Sequence, residues 1–267
     1  MRISGRTFVI SGGASGLGRA TAIELSQSGG NISILDLNED AGAELVKQLG
    51  GEARARFFAV DVTDTESIAA AVAGTMEWVS QTGKPLGGII PAAGVANPGL
   101  ILDSKHRPLP LQTIDLVLNI NVRGTLDVIR QFVPHLAQTP PQSPPGPDDE
   151  HGVVIMIASS AAFDGQMGQT VYAASKGAVA SMTLPLTRDL SRFGIRVVTI
   201  APGAFETPMA SSMSEKVRSS LERAMEFPKR GGKAEEFAAL ARHIVENVML
   251  NGSVIRLDGG ARMPSRL

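Results

Sequence analysis

The stretch Ser11-Gly12-Gly13-Ala14-Ser15-Gly16-Leu17-Gly18-Arg19 decides the fold, because it links an apolar run at residues 7–11 to a periodic segment at residues 17–28. Its central glycines have the spacing G-x-x-x-G-x-G. A turn of this kind binds phosphate groups when backbone N–H groups at the helix N-terminus face the anion. Glycine also occurs in ordinary turns between strand and helix, so the motif gains its meaning from its place in the chain.

Each glycine of this turn has a separate steric task. We assign Gly12 to the tight turn, Gly16 to the close approach of backbone N–H groups to a pyrophosphate, and Gly18 to the packing of the helix against the sheet. The positive end of the helix macrodipole then also faces the anion. The turn therefore predicts a nucleotide-binding site.

Short β-branched runs alternate with longer segments of helical period along the chain. We predict strands at residues 7–11, 32–35, 56–60, 88–92, 153–157, 196–200 and 254–257. We predict helices at residues 17–28, 38–49, 65–80, 111–136, 171–191 and 233–249. The alternation indicates an α/β protein, a doubly wound Rossmann-type domain with a seven-stranded parallel sheet covered by helices on both faces. Since no linker interrupts it, we expect one domain over residues 1–267.

Composition limits the classes of function. Hydrophobic residues make up 43% of the 267 residues and charged residues 19%, which is a globular balance. The 25 Lys and Arg nearly equal the 26 Asp and Glu, so we expect neither a nucleic acid nor a membrane as partner. The chain has no cysteine, which excludes disulfides and thiolate catalysis. A cysteine-free chain suits a reducing compartment, and we expect a cytoplasmic protein, with a mitochondrial location as the alternative.

A carboxylate follows the second predicted strand. Asp36 lies eighteen residues after Gly18, close to the spacing at which a carboxylate meets the adenosine ribose hydroxyls. It would repel the 2′-phosphate of NADP, and the next three residues include no Arg or Lys, so NAD is favoured. The alternative is that Asp36 caps the next helix. Asp61 and Val62 follow the third strand and can hold an adenine, while a turn signal before Asp64 is an equally good interpretation.

Tyr172 is the only tyrosine of the chain, and Lys176 follows it by four positions within a helical pattern, which puts both on one face. An adjacent ammonium favours the phenolate, so we expect Lys176 to lower the pKa of Tyr172 from its usual value of about 10. Ser159 follows a buried strand, at the edge where open α/β sheets bind ligands, and its hydroxyl can bond a substrate carbonyl. Ser160 competes for this role, and either serine can instead cap a helix or a turn.

Together these motifs resemble the short-chain dehydrogenase/reductase family over essentially the whole chain. The resemblance is carried by Gly12, Gly16, Gly18, Asp36, Asn121, Ser159, Tyr172, Lys176 and Pro202-Gly203. Within the family, the chain is most similar to the type 2 3-hydroxyacyl-CoA dehydrogenases. That similarity rests on residues 161–166, 183–186, 201–208 and 250–259.

The resemblance implies an NAD-dependent oxidoreductase that interconverts a secondary alcohol and a ketone, with 3-hydroxyacyl-CoA, including branched short-chain acyl-CoA, as the substrate. It implies that Tyr172 is the general acid and base, that Lys176 lowers its pKa and holds the nicotinamide ribose, and that Ser159 orients the reacting oxygen. It assigns Asn121, rather than Asn119, to anchoring a water that conducts protons, and no metal is required. The implied cofactor contacts are Ser11, Gly12, Ser15, Gly16, Leu17, Gly18, Asp36, Leu37, Asp61, Val62, Ala93, Gly94, Ile157, Tyr172, Lys176, Pro202, Gly203, Phe205 and Thr207.

The chain departs from the family pattern in two places. Ser11 stands where the family has Thr, and Pro91-Ala92-Ala93-Gly94 replaces the usual Asn-Asn-Ala-Gly. Since Pro91 has no N–H to donate, we expect altered bracing of the central sheet without loss of activity.

Two segments are candidates for the substrate end. Residues 96–111 include a basic group that either meets a CoA phosphate or stays solvated, namely Lys105, His106 and Arg107. Residues 205–227 are either an apolar lid or an amphipathic helix packed on the sheet or on a neighbouring subunit. Their apolar positions at helical spacing are Met209, Met213, Val217 and Leu221.

The family also implies a homotetramer that pairs helices 112–136 and 171–191 between subunits. Two other functions remain open at this point. One is a dehydrogenase of steroids or other small alcohols, and the other is a non-catalytic scaffold subunit of a larger complex.

Overall fold

The structure, a computed structural model, describes residues 1–140, 148–208, 219, 221 and 223–263. The strands are β1 (Thr7–Ser11), β2 (Asn31–Asp36), β3 (Ala55–Ala59), β4 (Leu86–Pro91), β5 (Gly152–Ile157), β6 (Ile195–Pro202) and β7 (Val254–Leu257). The helices are α1 (Gly16–Gln27), α2 (Glu39–Gln48), α3 (Thr65–Thr82), α4 (Leu111–Leu118), α5 (Thr125–Ala137), α6 (Thr170–Leu190) and α7 (Ala234–Glu246). All the predicted strands are present, each within two residues of its expected bounds.

The strands form one sheet in the order β3-β2-β1-β4-β5-β6-β7, and every neighbouring pair is parallel. The order of the strands reverses direction between β1 and β4. In open α/β sheets, ligands bind in the crevice beyond the carboxyl ends of the strands at such a point. The prediction of a doubly wound, seven-stranded parallel sheet is confirmed, and this geometry indicates where to look for a site.

Helices cover both faces of the sheet and bury its centre. Every residue of β1, β4, β5 and β6 is buried, whereas β7 at the edge is only partly buried along its length. Successive side chains of a strand point to opposite faces. Phe8 therefore joins the apolar cluster that includes Phe237 of α7, while Val9 joins the cluster that includes Phe132 of α5. These two apolar layers hold the strand ends in fixed positions.

The predicted helix at residues 111–136 is not continuous, which corrects that prediction. α4 ends at Leu118, a π-helical turn spans Asn119–Gly124, and α5 begins at Thr125. Gly124 packs closely against Val62, which follows β3, and a Cβ at Gly124 would lie 2.9 Å from the carbonyl oxygen of Val62. Within the turn, Asn121 is fully buried and Asn119 is exposed, as expected for these two asparagines.

Pro91, the last residue of β4, lies where the pairing between β4 and β5 is short. β4 and β5 are paired only at Gly88↔Val153 and Ile89↔Val154, whereas β5 and β6 are paired at six positions. The N–H of Ala92 donates to Ser11 in β1, so the nitrogen of Pro91, one residue earlier, faces β5 and has no proton to donate. The short pairing of β4 with β5 agrees with the missing donor, and the effect of the absent asparagines stays a prediction.

None of the helices in the described part of the chain is both long enough and apolar enough to cross a bilayer.

Candidate active site

A cavity of about 430 Å³ opens beyond the carboxyl ends of the central strands. All the predicted catalytic and cofactor-binding residues line it except Ser11 and Asn121. Ser11 lies just behind the wall, where its Oγ accepts a hydrogen bond of 3.4 Å from the N–H of Ala93. Asn121 is buried behind the wall and bonds to Val95, which does line the cavity. Residues from widely separated parts of the chain thus meet at one place.

The glycine turn forms the floor of one end of the cavity. Gly12 has a φ of +63°, and a Cβ there would lie 2.7 Å from the backbone of Ala93, so both the turn and the close approach exclude a side chain. A Cβ at Gly18 would overlap the carbonyl oxygen of Gly12, so the glycine brings α1 against the turn itself rather than against the sheet. Ser15 begins α1 without a side-chain cap, which leaves the first-turn N–H groups available to an anion.

Asp36 is positioned by two backbone bonds next to this turn. Its Oδ2 accepts from the N–H of Ala14 at 3.0 Å, and its Oδ1 accepts from the N–H of Asn38 at 3.1 Å. The cap of α2 is Asn38, which accepts from Ala41, and not Asp36. The capping interpretation of Asp36 is therefore wrong, and its carboxylate faces the cavity.

Asp61 lines the same end of the cavity but also serves as a turn residue. Its Oδ1 accepts from the N–H and from the hydroxyl of Thr63, both at 2.8 Å. Asp64 is the cap of α3 and accepts from Glu66 at 2.9 Å. The turn interpretation of Asp61 is therefore confirmed, and adenine binding by Asp61 and Val62 stays a prediction for two residues that line the cavity.

Tyr172, Lys176 and Ser159 lie together at the other side of the glycine turn. The hydroxyl of Ser159 is hydrogen-bonded to the phenol of Tyr172, and it also accepts from the N–H of Ala161 at 3.1 Å. The Nζ of Lys176 donates to the carbonyl oxygen of Ile157 at 2.9 Å and lies 5.9 Å from the centre of the Tyr172 ring. Ser159 thus caps the short turn Ser160–Ala162, as the alternative interpretation predicts, and its contact with the phenol leaves the bond to a substrate carbonyl as a prediction.

The pKa of Tyr172 differs from the expectation. Burial raises the pKa of the phenol above its usual value, and the hydrogen bond from Ser159 opposes this only in part. Lys176 was expected to lower the pKa of Tyr172, but the ammonium bonds to a carbonyl and faces the ring rather than the phenol oxygen. Burial also lowers the pKa of Lys176 itself to about 8. Desolvation therefore outweighs the attraction between the two groups in this arrangement.

The amide of Asn121 joins two parts of the site. Its Oδ1 accepts from the N–H of Val95 at 2.8 Å, and its Nδ2 donates to the carbonyl of Val95 at 2.9 Å and to the Oγ of Ser175 at 3.0 Å. Ser175 is fully buried and donates to the carbonyl oxygen of Tyr172 at 2.7 Å. The sequence analysis missed Ser175, which connects Asn121 to the helix that carries Tyr172 and Lys176. Its position directly before Lys176 was the available signal.

The substrate end of the cavity is formed by separate segments. Its walls include Ala96, Gln166, Gln169, Leu221 and Met263. The segment at residues 96–111 folds into a hairpin closed by a bridge between Leu102 and Pro108, and the N–H of Gly99 donates to Gly168 at 2.8 Å. This bond connects the hairpin to the segment between Ser159 and Tyr172.

Within the basic group of the hairpin, the side chain of Arg107 is paired inside the hairpin itself. Arg107 forms a salt bridge of 2.7 Å with Asp103, and both Lys105 and Arg107 donate backbone N–H groups to Asp103. Leu221 of the predicted lid is buried and lines the cavity. Met209, Met213 and Val217 lie outside the described residues.

Comparison with known proteins gives consistent results. The family model described as short chain dehydrogenase matches residues 6–218. The chain is 41% identical over 261 residues to 3-hydroxyacyl-CoA dehydrogenase type-2 of Drosophila melanogaster, with coverage of 98% of this chain and 99% of that protein. It is 41% identical over 267 residues to the protein of the same name from Homo sapiens, with coverage of 98% and 97%. The solved 3-hydroxyacyl-CoA dehydrogenase type-2 from Mycobacterium avium has a TM-score of 0.89 at 34% identity and covers 98% of this chain and 97% of its own.

Proposed function

The chain belongs to the short-chain dehydrogenase family, and from this premise we propose that it is an NAD-dependent 3-hydroxyacyl-CoA dehydrogenase. The observation that carries the proposal is the hydrogen bond between Ser159 and the phenol of Tyr172, beside Lys176, in the cavity that the glycine turn also lines. Members of a family share a fold more widely than a substrate. The choice of a 3-hydroxyacyl-CoA therefore follows the names of the most similar proteins.

The glycine end of the cavity fits a dinucleotide. Gly12 and Gly18 allow the close backbone contacts that shape the turn, and the uncapped first turn of α1 presents N–H donors to a pyrophosphate. Asp36 is placed to accept from ribose hydroxyls, and its charge disfavours the 2′-phosphate that distinguishes NADP from NAD. When bound, NAD would supply the hydride acceptor for oxidation of the alcohol, and NADH would supply the hydride donor for reduction of the ketone.

Tyr172 holds the proton that the reaction moves. In alcohol oxidation its phenolate removes the hydroxyl proton, and in ketone reduction the neutral phenol donates a proton to the carbonyl oxygen. The hydroxyl of Ser159 contacts the phenol and so fixes the position at which the reacting oxygen binds. Because burial raises the pKa of Tyr172, its neutral form dominates at neutral pH, and oxidation should accelerate as the pH rises.

A direct assay tests this function. Purified protein is mixed with NAD and 3-hydroxybutyryl-CoA, and the absorbance of the reduced nicotinamide is followed. We expect turnover by the native protein and a loss of about a thousandfold or more in Tyr172→Phe, with NADH affinity retained. Equal rates in both proteins would remove Tyr172 from the mechanism. Turnover of a hydroxysteroid or a small alcohol in place of the acyl-CoA would favour a dehydrogenase of those substrates.

Two neighbouring serines provide a matched pair for the same assay. Ser159→Ala removes the bond to Tyr172, whereas Ser160→Ala changes a residue that also lines the cavity but lies one position further along. We expect a large loss of turnover in Ser159→Ala and a small one in Ser160→Ala. The reverse order would transfer the role to Ser160. Absence of turnover with every substrate, together with NADH binding, would favour a scaffold subunit.

We also propose that the protein assembles as a homotetramer through α4, α5 and α6. Exposed apolar side chains on these helices support this, because exposed leucines in such number are typical of interfaces. They are Leu111, Leu116, Leu118, Leu126 and Leu184. Light scattering after size-exclusion chromatography measures the assembly directly, and a monomer at micromolar concentration would contradict the proposal.

A further inference from the structure

Arg256 connects three segments that are far apart in the sequence. It lies near the carboxyl end of β7, and its guanidinium donates to both carboxylate oxygens of Asp164, at 3.1 and 2.5 Å. Its Nε donates to Asp258 at 2.6 Å, and the same guanidinium donates to the carbonyl of Ala261 at 3.0 Å. These bonds use the planar fork that distinguishes Arg from Lys.

The first partner, Asp164, belongs to the segment between Ser159 and Tyr172. Two residues of that segment, Gln166 and Gln169, line the substrate end of the cavity. The backbone N–H of Met263 also donates to Asp164, and hydrogen bonds from Arg256 are the largest cause of the lowered pKa of this carboxyl. The carboxylate of Asp164 is thus held between β7 and the residues that follow it.

The second partner, Asp258, begins the segment after β7. It packs against Gly203, where a Cβ would lie 2.9 Å from the Cβ of Asp258. One residue later, the carbonyl of Gly259 accepts from the N–H groups of Glu226 and Phe227 at 3.0 and 3.1 Å. The segment ends at Met263, which lines the cavity. Arg256 therefore connects the segment that carries Gln166 with the segment that ends at Met263, and both of these residues line the cavity.

Building on the proposed function, we propose that Arg256 is a positioning residue for the substrate, acting through Asp164 and the segment 258–263. It contacts neither the glycine turn nor Tyr172 by any hydrogen bond or ion pair described for it. Gln166 and Met263, which belong to the two segments it joins, line the same cavity as Tyr172. A lysine at this position keeps the charge but cannot bridge Asp164 and Asp258 at once.

The test compares Arg256→Lys with the native protein under NAD and 3-hydroxybutyryl-CoA. We expect KM for the acyl-CoA to rise about tenfold, while kcat stays within about threefold and the Kd of NADH within about twofold. Arg196→Lys is the control. Arg196 forms a buried ion pair with Glu150 at the amino end of β6, so its loss should lower stability and leave KM unchanged.

Asp164→Asn provides a second variant of nearly the same shape, in case Arg256→Lys folds poorly. It should raise KM by a similar factor, and the double variant should be no worse than either single one, because the two residues act as a unit. Additive effects would show that they act separately. An unchanged KM, or a loss of NADH affinity by the same factor as the rise in KM, would overturn the proposal.

Hydrogen exchange separates this inference from the proposed function. In Arg256→Lys we expect faster exchange in both 163–169 and 258–263, with no change in residues 12–20. Faster exchange in only one of the two segments would contradict the link. If the native protein fails to turn over 3-hydroxybutyryl-CoA, the proposed substrate is wrong, and the exchange pattern still decides whether Arg256 joins the two walls.

Discussion

The two ends of the cavity differ in what fixes their shape, which is backbone packing at one end and side-chain contacts at the other. The nucleotide end consists of the glycine turn and the ends of β2 and β3, and its shape depends on backbone atoms that approach each other closely, as at Gly12 and Gly18. The substrate end consists of segments near residues 96, 166, 221 and 263, which side chains such as Arg256 hold together. A site made of backbone is encoded locally, whereas walls joined by side chains depend on residues far apart in the chain.

The largest effect should follow from adding one methyl group to the nucleotide end. In Gly18→Ala the Cβ overlaps the carbonyl oxygen of Gly12, and backbone atoms cannot rotate away as a flexible side chain can. We expect a loss of about 3 kcal/mol in the free energy of unfolding, measured by denaturant titration, with NADH binding strongly weakened.

Gly177→Ala is the matched control, since a Cβ at this position of α6 meets nothing within 4 Å. It should be neutral or gain about 0.5–1 kcal/mol, because alanine is the better helix former. A Gly18→Ala protein as stable as the native one would show that the turn yields, and that the contrast between the two ends is overstated.

Lys176 lies where the two ends meet, and its removal should separate stability from activity. Its folded pKa of about 8 is below the usual 10.5, so at pH 7 burial of the ammonium costs about 3 kcal/mol. Lys176→Met removes that cost but leaves the carbonyl of Ile157 without this donor. We expect a net gain of about 2 kcal/mol in the free energy of unfolding at pH 7 and a loss of turnover of about a hundredfold.

The pH dependence gives this prediction a sign. Between pH 8 and 10.5 the unfolded chain binds a proton at Lys176 that the folded chain has lost, so the stability of the native protein rises with pH in that window. The advantage of Lys176→Met, about 2 kcal/mol at pH 7, should therefore shrink from pH 8 upwards by about 1.4 kcal/mol per pH unit, disappear at about pH 9.5 and reverse by about 1 kcal/mol at pH 10.5 and above. A variant that is less stable than the native protein at pH 7 would contradict the assigned cost of burial.

Asp36→Ala examines a side chain that acts within the backbone-built end. We expect NADH to bind about tenfold more weakly and the preference over NADPH to shrink, because the variant loses both an acceptor for ribose hydroxyls and a repulsive charge. Titration with each nucleotide measures this. Asn38→Ala, which removes the cap of α2, should cost about 1 kcal/mol in stability and leave both affinities unchanged.

The smallest effect should come from Phe163, which lies beside Arg256 and does not line the cavity. Its ring is 51% exposed and its main partner is the guanidinium of Arg256, 5.4 Å from the ring centre. In Phe163→Ala we expect KM for the acyl-CoA to rise less than about threefold and the Kd of NADH to stay the same. A clear loss of NADH affinity would mean that the two ends of the cavity are coupled.

The nucleotide end was largely predictable from the sequence. The spacing of Gly12, Gly16 and Gly18 after an apolar run, and of Asp36 after the next one, follows from the geometry of one strand-helix-strand unit. The same logic places Ser159 just after the end of β5, and the spacing of four places Tyr172 and Lys176 on one face of a helix. All of these residues line one cavity, because parallel strands bring their carboxyl ends to a common edge.

Other features depend on contacts that no local pattern reveals. The bond between Arg256 and Asp164 joins residues 92 positions apart, and the raised pKa of Tyr172 comes from burial that only the packed structure defines. Ser175 has a hydroxyl like many others until Asn121 is placed beside it. The sequence contains these residues but not the distances that give them their roles.

The π-helical turn Asn119–Gly124 makes this part of the molecule sensitive to chain length rather than to side-chain chemistry. A π turn accommodates one more residue than an α-helix does over the same stretch. Deleting a single residue from it would allow an uninterrupted α-helix in which α5 keeps its register, whereas the same deletion within α5 would rotate the following side chains by about 100°. A shift of the chain by two positions here would put Asn119, whose side chain is exposed, in the place of Asn121, whose buried amide braces the site.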